Sequence, residues 1–155
     1  MCTMMADEET ARFIGGVMEP PAVWRSLCAL TGAWTIRGFS MFSVIEKASG
    51  KWVGRLGPWQ PEGWPGAEIG WGLSRDAWGK GYATEGAAAA MDYAVDILGW
   101  DEIIHCIDPP NTPSIRVAER LGSRYLRKAQ APPPFADVHW HLYGQSADEW
   151  RARRG

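Results

Sequence analysis

The run Trp78-Gly79-Lys80-Gly81-Tyr82-Ala83-Thr84 is a glycine-bearing turn between an apolar strand-like segment, Ala67 to Ser74, and an alanine-rich helix-like segment, about Thr84 to Leu98. Such a turn exposes backbone N–H groups at the positive end of the helix, and that arrangement binds anions, phosphates above all. A P-loop would need a glycine five positions before Gly79 and a Ser or Thr after Lys80. Ser74 and Gly81 stand there, so no hydroxyl is placed for a magnesium ion. A dinucleotide fingerprint needs three glycines in G-x-G-x-x-G order. Gly79 and Gly81 supply two, Thr84 takes the third place, and several strands precede the turn. Asp108, after the next strand, could mimic the ribose-binding acid, so that reading is weakened without being removed. A turn whose glycines serve tight packing alone is the remaining alternative.

The elements that must position this turn can be read from periodicity and punctuation. Pro20-Pro21 precedes an amphipathic helix from about Pro21 to Ile36, with Val23, Trp24, Leu27, Cys28, Ala29 and Leu30 apolar, ended by Gly38. Phe39 to Glu46 and Trp52 to Trp59 read as strands joined by a turn at Ala48-Ser49-Gly50-Lys51. Pro61 to Gly66 is a loop, and Ala67 to Ser74 the third strand. After the glycine turn the helix carries Ala87, Ala90, Met91, Ala94, Val95 and Leu98 on one face, Asp92 and Asp96 on the other, and stops at Gly99. Then come a short strand, Glu102 to Ile107, and a turn, Asp108-Pro109-Pro110-Asn111. A helix from Pro113 to Leu121 follows, then strands near Ser123 to Lys128 and Val138 to Tyr143, and a closing helix, Ala147 to Arg153. Apart from the Pro132-Pro133-Pro134 loop there is no low-complexity tract. This order predicts an α/β domain with a mixed sheet.

A chain of 155 residues is of a size for one domain with one core. Its net charge of −2 predicts no general attraction to nucleic acid or to an anionic membrane. The basic cluster Arg151, Arg153 and Arg154 is read as solvating the terminal helix. Cys2, Cys28 and Cys106 have no metal-ligand spacing and suit a reducing compartment. With neither a signal-like nor a membrane-spanning segment, the expected location is cytoplasmic. Ten tryptophans leave two readings: core and loop packing, or an aromatic-walled ligand cleft.

The turn does not stand alone. Glu68-Ile69-Gly70-Trp71 through Trp78-Gly79-Lys80-Gly81-Tyr82-Ala83-Thr84-Glu85 is followed by Asp108-Pro109-x-Asn111-x-x-Ser114-Ile115-Arg116-Val117-Ala118-Glu119-Arg120-Leu121-Gly122. Over about Arg12 to Gly144 this resembles the GNAT N-acetyltransferase superfamily, and within it the branch of ribosomal-protein N-terminal acetyltransferases. The resemblance implies an α/β (α+β) fold with a mixed, mostly antiparallel split sheet flanked by helices. It also implies acetyl-coenzyme A as cosubstrate, with no metal. The family's phosphate signature, Gln/Arg-x-x-Gly-x-Gly/Ala, falls on Trp78, Gly81 and Ala83. Backbone N–H groups from Gly79 through Lys80, Gly81, Tyr82 and Ala83 to Thr84 would hold the pyrophosphate, and Leu73 would pair with the pantetheine amides. Lys80 adds charge that this geometry does not require.

The implied reaction is direct attack of an uncharged amine on the thioester, which needs a proton acceptor, carbonyl polarisation and a donor for the departing thiolate. Glu68 is the expected base. It sits where some members carry a catalytic glutamate, and strand alternation puts it on one face with Gly70 and Gly72, leaving room for substrate. An exposed strand-end carboxylate, with the proton leaving through water, is the alternative. By the family pattern Asn111 bonds the pantetheine arm and Ser114 lies near the sulfur; either could instead be a helix cap. Many members carry a tyrosine seven residues after the Asn. Ala118 stands there, which moves the acid role to Ser114 or to water. His139 or His141 could line the acceptor pocket, His105 reads as structural, and Asp137 is a weaker candidate base.

Family members usually begin with a strand that has no counterpart in the roughly eleven residues before Arg12. Either the start lies upstream or the domain is shortened, and the exposed sheet edge favours pairing, for example as a homodimer. The leading expectation is an N-acetyltransferase acting on an amine-bearing small molecule or a protein N-terminus. A non-catalytic acyl-coenzyme A-binding module is the alternative, and a nucleotide-binding protein a third reading.

Overall fold

A six-stranded sheet forms the frame, in the spatial order β1-β2-β3-β4-β6-β5. The computed structural model describes residues 1–133 and 137–155; the last proline of the Pro132-Pro133-Pro134 run lies outside the described residues. The strands are β1 (Phe42–Ile45), β2 (Trp52–Trp59), β3 (Glu68–Leu73), β4 (Glu102–Ile107), β5 (Arg124–Gln130) and β6 (His139–Ser146). The β3–β4 pair is parallel, and the other neighbouring pairs are antiparallel. The sheet is therefore mixed and mostly antiparallel, as expected. β1 is shorter than the Phe39–Glu46 strand predicted, and it is an edge strand paired with β2. The last two strands run further than predicted, to Gln130 and Ser146.

One face of the sheet is covered by α4 (Tyr82–Asp96), whose Ala87, Ala90, Met91, Ala94 and Val95 are buried against Leu56, Ile69 and Ile103. Small alanines let the helix axis approach the sheet closely while Met91 fills the gap. Trp150 of α6 (Ala147–Arg154) joins this core, and its indole N–H donates to Asp92. Arg154 forks onto Asp92 and Asp96 at 2.6–2.7 Å, and Arg153 donates to the Arg120 carbonyl. Two of the C-terminal arginines thus fasten α6 to its neighbours, a different outcome from the solvated cluster expected.

The other face is partly covered by residues that carried no helix signal. α1 (Cys2–Ala6) and α2 (Glu8–Ala11) bury Met4, Met5 and Ala11, with Val23 of α3 (Pro20–Arg37). Asp7 accepts from the Thr10 N–H and hydroxyl, so a cap organises this short stretch. The predicted amphipathic α3 is a helix, but its apolar residues are spread around the axis. Val23 and Leu30 are buried, whereas Trp24, Leu27, Trp34 and Ile36 remain exposed. Among the described residues no helix is long and apolar enough to cross a membrane.

Candidate active site

β3 and β4 start as a parallel ladder and then part. Glu68 lies opposite Ile104, and the Ile104 N–H bonds the Ala67 carbonyl at 2.9 Å. In this register the next rung would join the Cys106 N–H to the Ile69 carbonyl. Two side chains take those partners instead. Glu68 Oε1 accepts from the Cys106 N–H at 3.0 Å, and His105 Nδ1 lies 2.7 Å from the Ile69 carbonyl oxygen. A carbonyl only accepts, so Nδ1 carries the proton and Nε2 accepts from the Ser123 hydroxyl at 3.0 Å. The Cys106 N–H and the Ile69 carbonyl thus keep partners where the sheet opens.

A cleft of about 420 Å³ passes through this opening. On one side it is bounded by Glu68, Gly70, Trp59, Trp64 and Trp140, with Arg12 to Gly16 of the segment after α2; on the other it reaches Trp71, Asn111 and Ser114. Glu68 is buried, not the exposed strand-end carboxylate of the alternative reading. Its Oε2 accepts from the Trp64 indole N–H at 2.6 Å. Burial pushes its carboxyl up to about 7, against the hydrogen bonds from Cys106 and Trp64 and the positive charge of Arg55. Arg55 sits opposite Gly72 on β2, and its Nε has no hydrogen-bond partner among the described residues. Burial lowers its affinity for the proton while Glu68 raises it. His105, also buried, is driven down to about 4 and stays neutral, with both ring nitrogens committed.

The expected room above Gly70 and Gly72 is only partly there. A Cβ on Gly70 would lie 3.1 Å from the Met41 methyl, and one on Gly72 would lie 3.3 Å from Ile14 Cδ1. Met41 and the N-terminal segment thus roof the strand, and the open volume lies toward the tryptophans. Four of the ten tryptophans, Trp59, Trp64, Trp71 and Trp140, line the cleft. Trp140 faces it where His139 or His141 was expected. Strand alternation sends the histidines elsewhere, and His141 packs edge-on against Tyr125. Asp137 is exposed and is not among the residues that line the cleft.

Beyond the opening, α5 (Thr112–Arg120) begins with Asn111 as its N-cap, whose Oδ1 accepts from the Ser114 N–H at 3.3 Å. Ser114 Oγ accepts from the Trp71 indole N–H at 3.2 Å, which leaves its own proton available for donation. Ala118 is buried under the helix.

The glycine turn lies at the start of α4. Arg75–Ala77 form a short 3-10 turn ahead of it. Gly79 and Gly81 hold φ of +72° and +85°, and open space lies where their Cβ atoms would be. Gly81 is the N-cap and no side chain caps it, so the first N–H groups of α4, on Tyr82, Ala83 and Thr84, are presented uncapped. This cradle fits a pyrophosphate. Trp78, at the first signature position, braces the turn by donating to the Leu73 carbonyl at 2.8 Å. The Ser74 N–H bonds Val53 on β2, so by alternation the Leu73 peptide groups point toward the opening beside β4. Lys80 Nζ lies 3.3 Å from Glu46 Oε1, which also accepts from the Tyr82 hydroxyl at 2.8 Å. Hydrogen bonds from Ser49, Tyr82 and Lys80 hold the Glu46 carboxyl down at about 2, so the cation of the turn already has an ionised partner.

The residues that sequence reasoning missed are Trp64, Trp140, Arg55 and the Arg12–Gly16 segment. The tryptophan count was the one signal for the two indoles, and it does not say which rings share a wall; Arg55 and Arg12 to Gly16 carried no signal of a place in the cleft.

Comparison with known proteins agrees with this geometry. Residues 1–124 match the acetyltransferase (GNAT) domain family. The chain is 38% identical over 100 residues to the uncharacterized protein YkkB of Bacillus subtilis, covering 61% of this chain and 58% of that one. It is 37% identical over 82 residues to an uncharacterized N-acetyltransferase p20 of Bacillus licheniformis, covering 52% and 46%. The chain thus spans about half the length of these curated relatives. An acetyltransferase from Agrobacterium tumefaciens superposes with a TM-score of 0.80 at 26% identity, covering 93% of this chain and 81% of that one. Another structural neighbour is the ribosomal-protein-S5-alanine acetyltransferase of Vibrio fischeri. Its TM-score is 0.67 at 21% identity, covering 84% and 74%, a likeness of fold alone. With a family match over most of its length, a split mixed sheet and an uncapped glycine turn, the chain belongs to the GNAT acetyltransferase domain family.

Proposed function

We propose that this protein is an acetyl-coenzyme A-dependent N-acetyltransferase that transfers acetyl to a primary amine by direct attack in a ternary complex. The observation that carries this reading is the continuous cleft joining a buried carboxylate, Glu68, to a hydroxyl with a free proton, Ser114, through the opening between β3 and β4. Acetyl-coenzyme A would supply the activated thioester. The uncapped N–H groups of Tyr82, Ala83 and Thr84, with the Gly79–Gly81 backbone, would hold pyrophosphate oxygens. The Leu73 peptide groups and the amide end of Asn111 that is not spent on capping would hold the pantetheine arm.

The chain's own proton chemistry follows from the partners described. Glu68 is ionised above about pH 7, where it can accept a proton from an incoming ammonium. Its oxygens already accept from Trp64 and Cys106, which fix the carboxylate plane while leaving lone pairs for the amine. Ser114, oriented by the Trp71 indole, donates toward the leaving sulfur. The expected result is release of free thiol from acetyl-coenzyme A that depends on both the protein and a primary amine. Cofactor binding without turnover across a broad amine panel would favour a non-catalytic acyl-coenzyme A-binding module instead.

A further inference from the structure

Several polar atoms on the acceptor side of the cleft are committed. The Trp64 indole N–H is spent on Glu68 and the Trp71 N–H on Ser114, so these rings offer the cleft only carbon edges and π faces. Both His105 nitrogens are used internally. Trp64 and Trp140 lie with ring centroids 4.9 Å apart, tilted by 51°. Trp59 stands directly across β2 from Glu68. The carboxylate therefore sits at the base of an aromatic wall.

Charge points the same way. The acids lining the cleft are Glu68 and Asp108, and the bases are Arg12 and Arg55, so the formal charges cancel. Arg55 already compensates ionised Glu68. One ammonium can be received, by Glu68 and by the faces of the tryptophans, which attract cations. A second ammonium would meet Arg12 and Arg55 with only Asp108 to offset them. The N–H groups of a peptide would meet carbon edges at Trp64 and Trp71, since among the described residues the uncommitted groups of the wall, Arg55 Nε and the Trp59 and Trp140 indole N–H, are all donors. A buried polar group left unpaired is costly, and that cost is what separates substrates.

We infer, resting on the transferase reading above, that the acceptor is a primary monoamine on an aromatic body, an arylalkylamine. A polyamine or a peptide N-terminus does not fit the wall.

The test uses the full chain with acetyl-coenzyme A and follows thiol release with 2-phenylethylamine, tryptamine, spermidine and a short peptide with a free N-terminus. The arylalkylamines are expected to exceed the other two in kcat/KM by at least about tenfold. Equal or higher kcat/KM for spermidine or the peptide overturns the inference. Trp140→Leu keeps an apolar contact and removes a π face. It is expected to raise KM for 2-phenylethylamine about tenfold, with the loss falling on KM more than on kcat and coenzyme A affinity unchanged. An unchanged KM with the variant folded also overturns it.

If no amine turns over, the transferase reading fails by itself. Calorimetric titration then decides the acceptor class directly: tighter binding of 2-phenylethylamine than of spermidine sustains the inference, and equal or absent binding overturns it.

Discussion

Glu68→Gln tests whether the buried carboxylate is poised as described. Glu68 is 6% exposed, and its carboxyl lies at about 7 in the folded chain against 4.5 for an ordinary glutamate. Burial is the largest cause, and it disfavours the charged form. The folded protein therefore binds this proton more tightly than the unfolded chain. The contribution to stability is complete below about pH 4.5 and is lost as pH rises through about 7. At about 1.4 kcal/mol per tenfold change in proton affinity, the loss approaches about 3 kcal/mol by pH 8.

His105 acts in the opposite sense. Its folded value of about 4 lies below the ordinary 6.5, so its contribution is present above pH 6.5 and disappears as pH falls toward 4. The two opposing trends make the wild-type chain nearly flat over that interval as far as these groups go. Glu68→Gln removes one of them. Urea unfolding of both proteins at steps from pH 4.5 to 8 gives the measurement. Wild-type stability minus variant stability should fall by about 3 kcal/mol across the range, whatever constant offset the Gln amide introduces against the Trp64 N–H. The same substitution should lower turnover and abolish the rise of kcat/KM near pH 7, with coenzyme A affinity retained. A stability difference that stays level within about 1 kcal/mol refutes the raised carboxyl value and with it the poised base. Unchanged turnover and pH profile refute the catalytic role alone.

Trp64→Phe removes the donor on Glu68 Oε2 and keeps a ring against Trp140, so the Glu68 carboxyl should rise further and the acid limb of kcat/KM should move to higher pH. An unmoved limb would show that the indole N–H does not tune the base. Gly81→Glu should lower coenzyme A affinity at least about a hundredfold in calorimetry, by placing a carboxylate among the N–H groups. Gly81→Ala, which carries the φ +85° strain without the charge, separates strain from repulsion. Ser114→Ala should lower kcat with little change in coenzyme A affinity; equal kcat would return the acid role to water. Arg154→Ala should lower the melting temperature slightly, through loss of the fork onto Asp92 and Asp96, and the difference should shrink in high salt.

Local chemistry was legible in the chain because it depends on neighbours in sequence. The glycine turn, the period-two run of β3, the alanine face of α4 and the cap at Asn111 each occupy a few consecutive residues, and each forms where the sequence places it. α1 and α2 were not legible. They are too short for a periodic signal and are held by Met4, Met5 and Ala11 packing with Val23 of α3. The apolar spacing of α3 suggested one buried face, yet Trp24 is 66% exposed and Ile36 is 82% exposed. What lies against a helix decides which of its apolar residues are covered.

By itself, the sequence determined the family, the order of elements, the glycine turn ahead of α4 and the short set of polar residues, Glu68, Asn111 and Ser114, near which chemistry was expected. Each rests on backbone preferences and side-chain types carried within a few residues. Only the tertiary structure decided that Glu68 would be buried and bonded by Trp64 and Cys106. Only there does Trp140 replace the neighbouring histidines in the cleft, and only there does Lys80 share its charge with Glu46. The physical reason is distance along the chain. A carboxyl is raised by whatever excludes water from it, and the groups that do so here come from β2, the loop before β3, β4 and β6, which meet only when the sheet assembles and opens between β3 and β4.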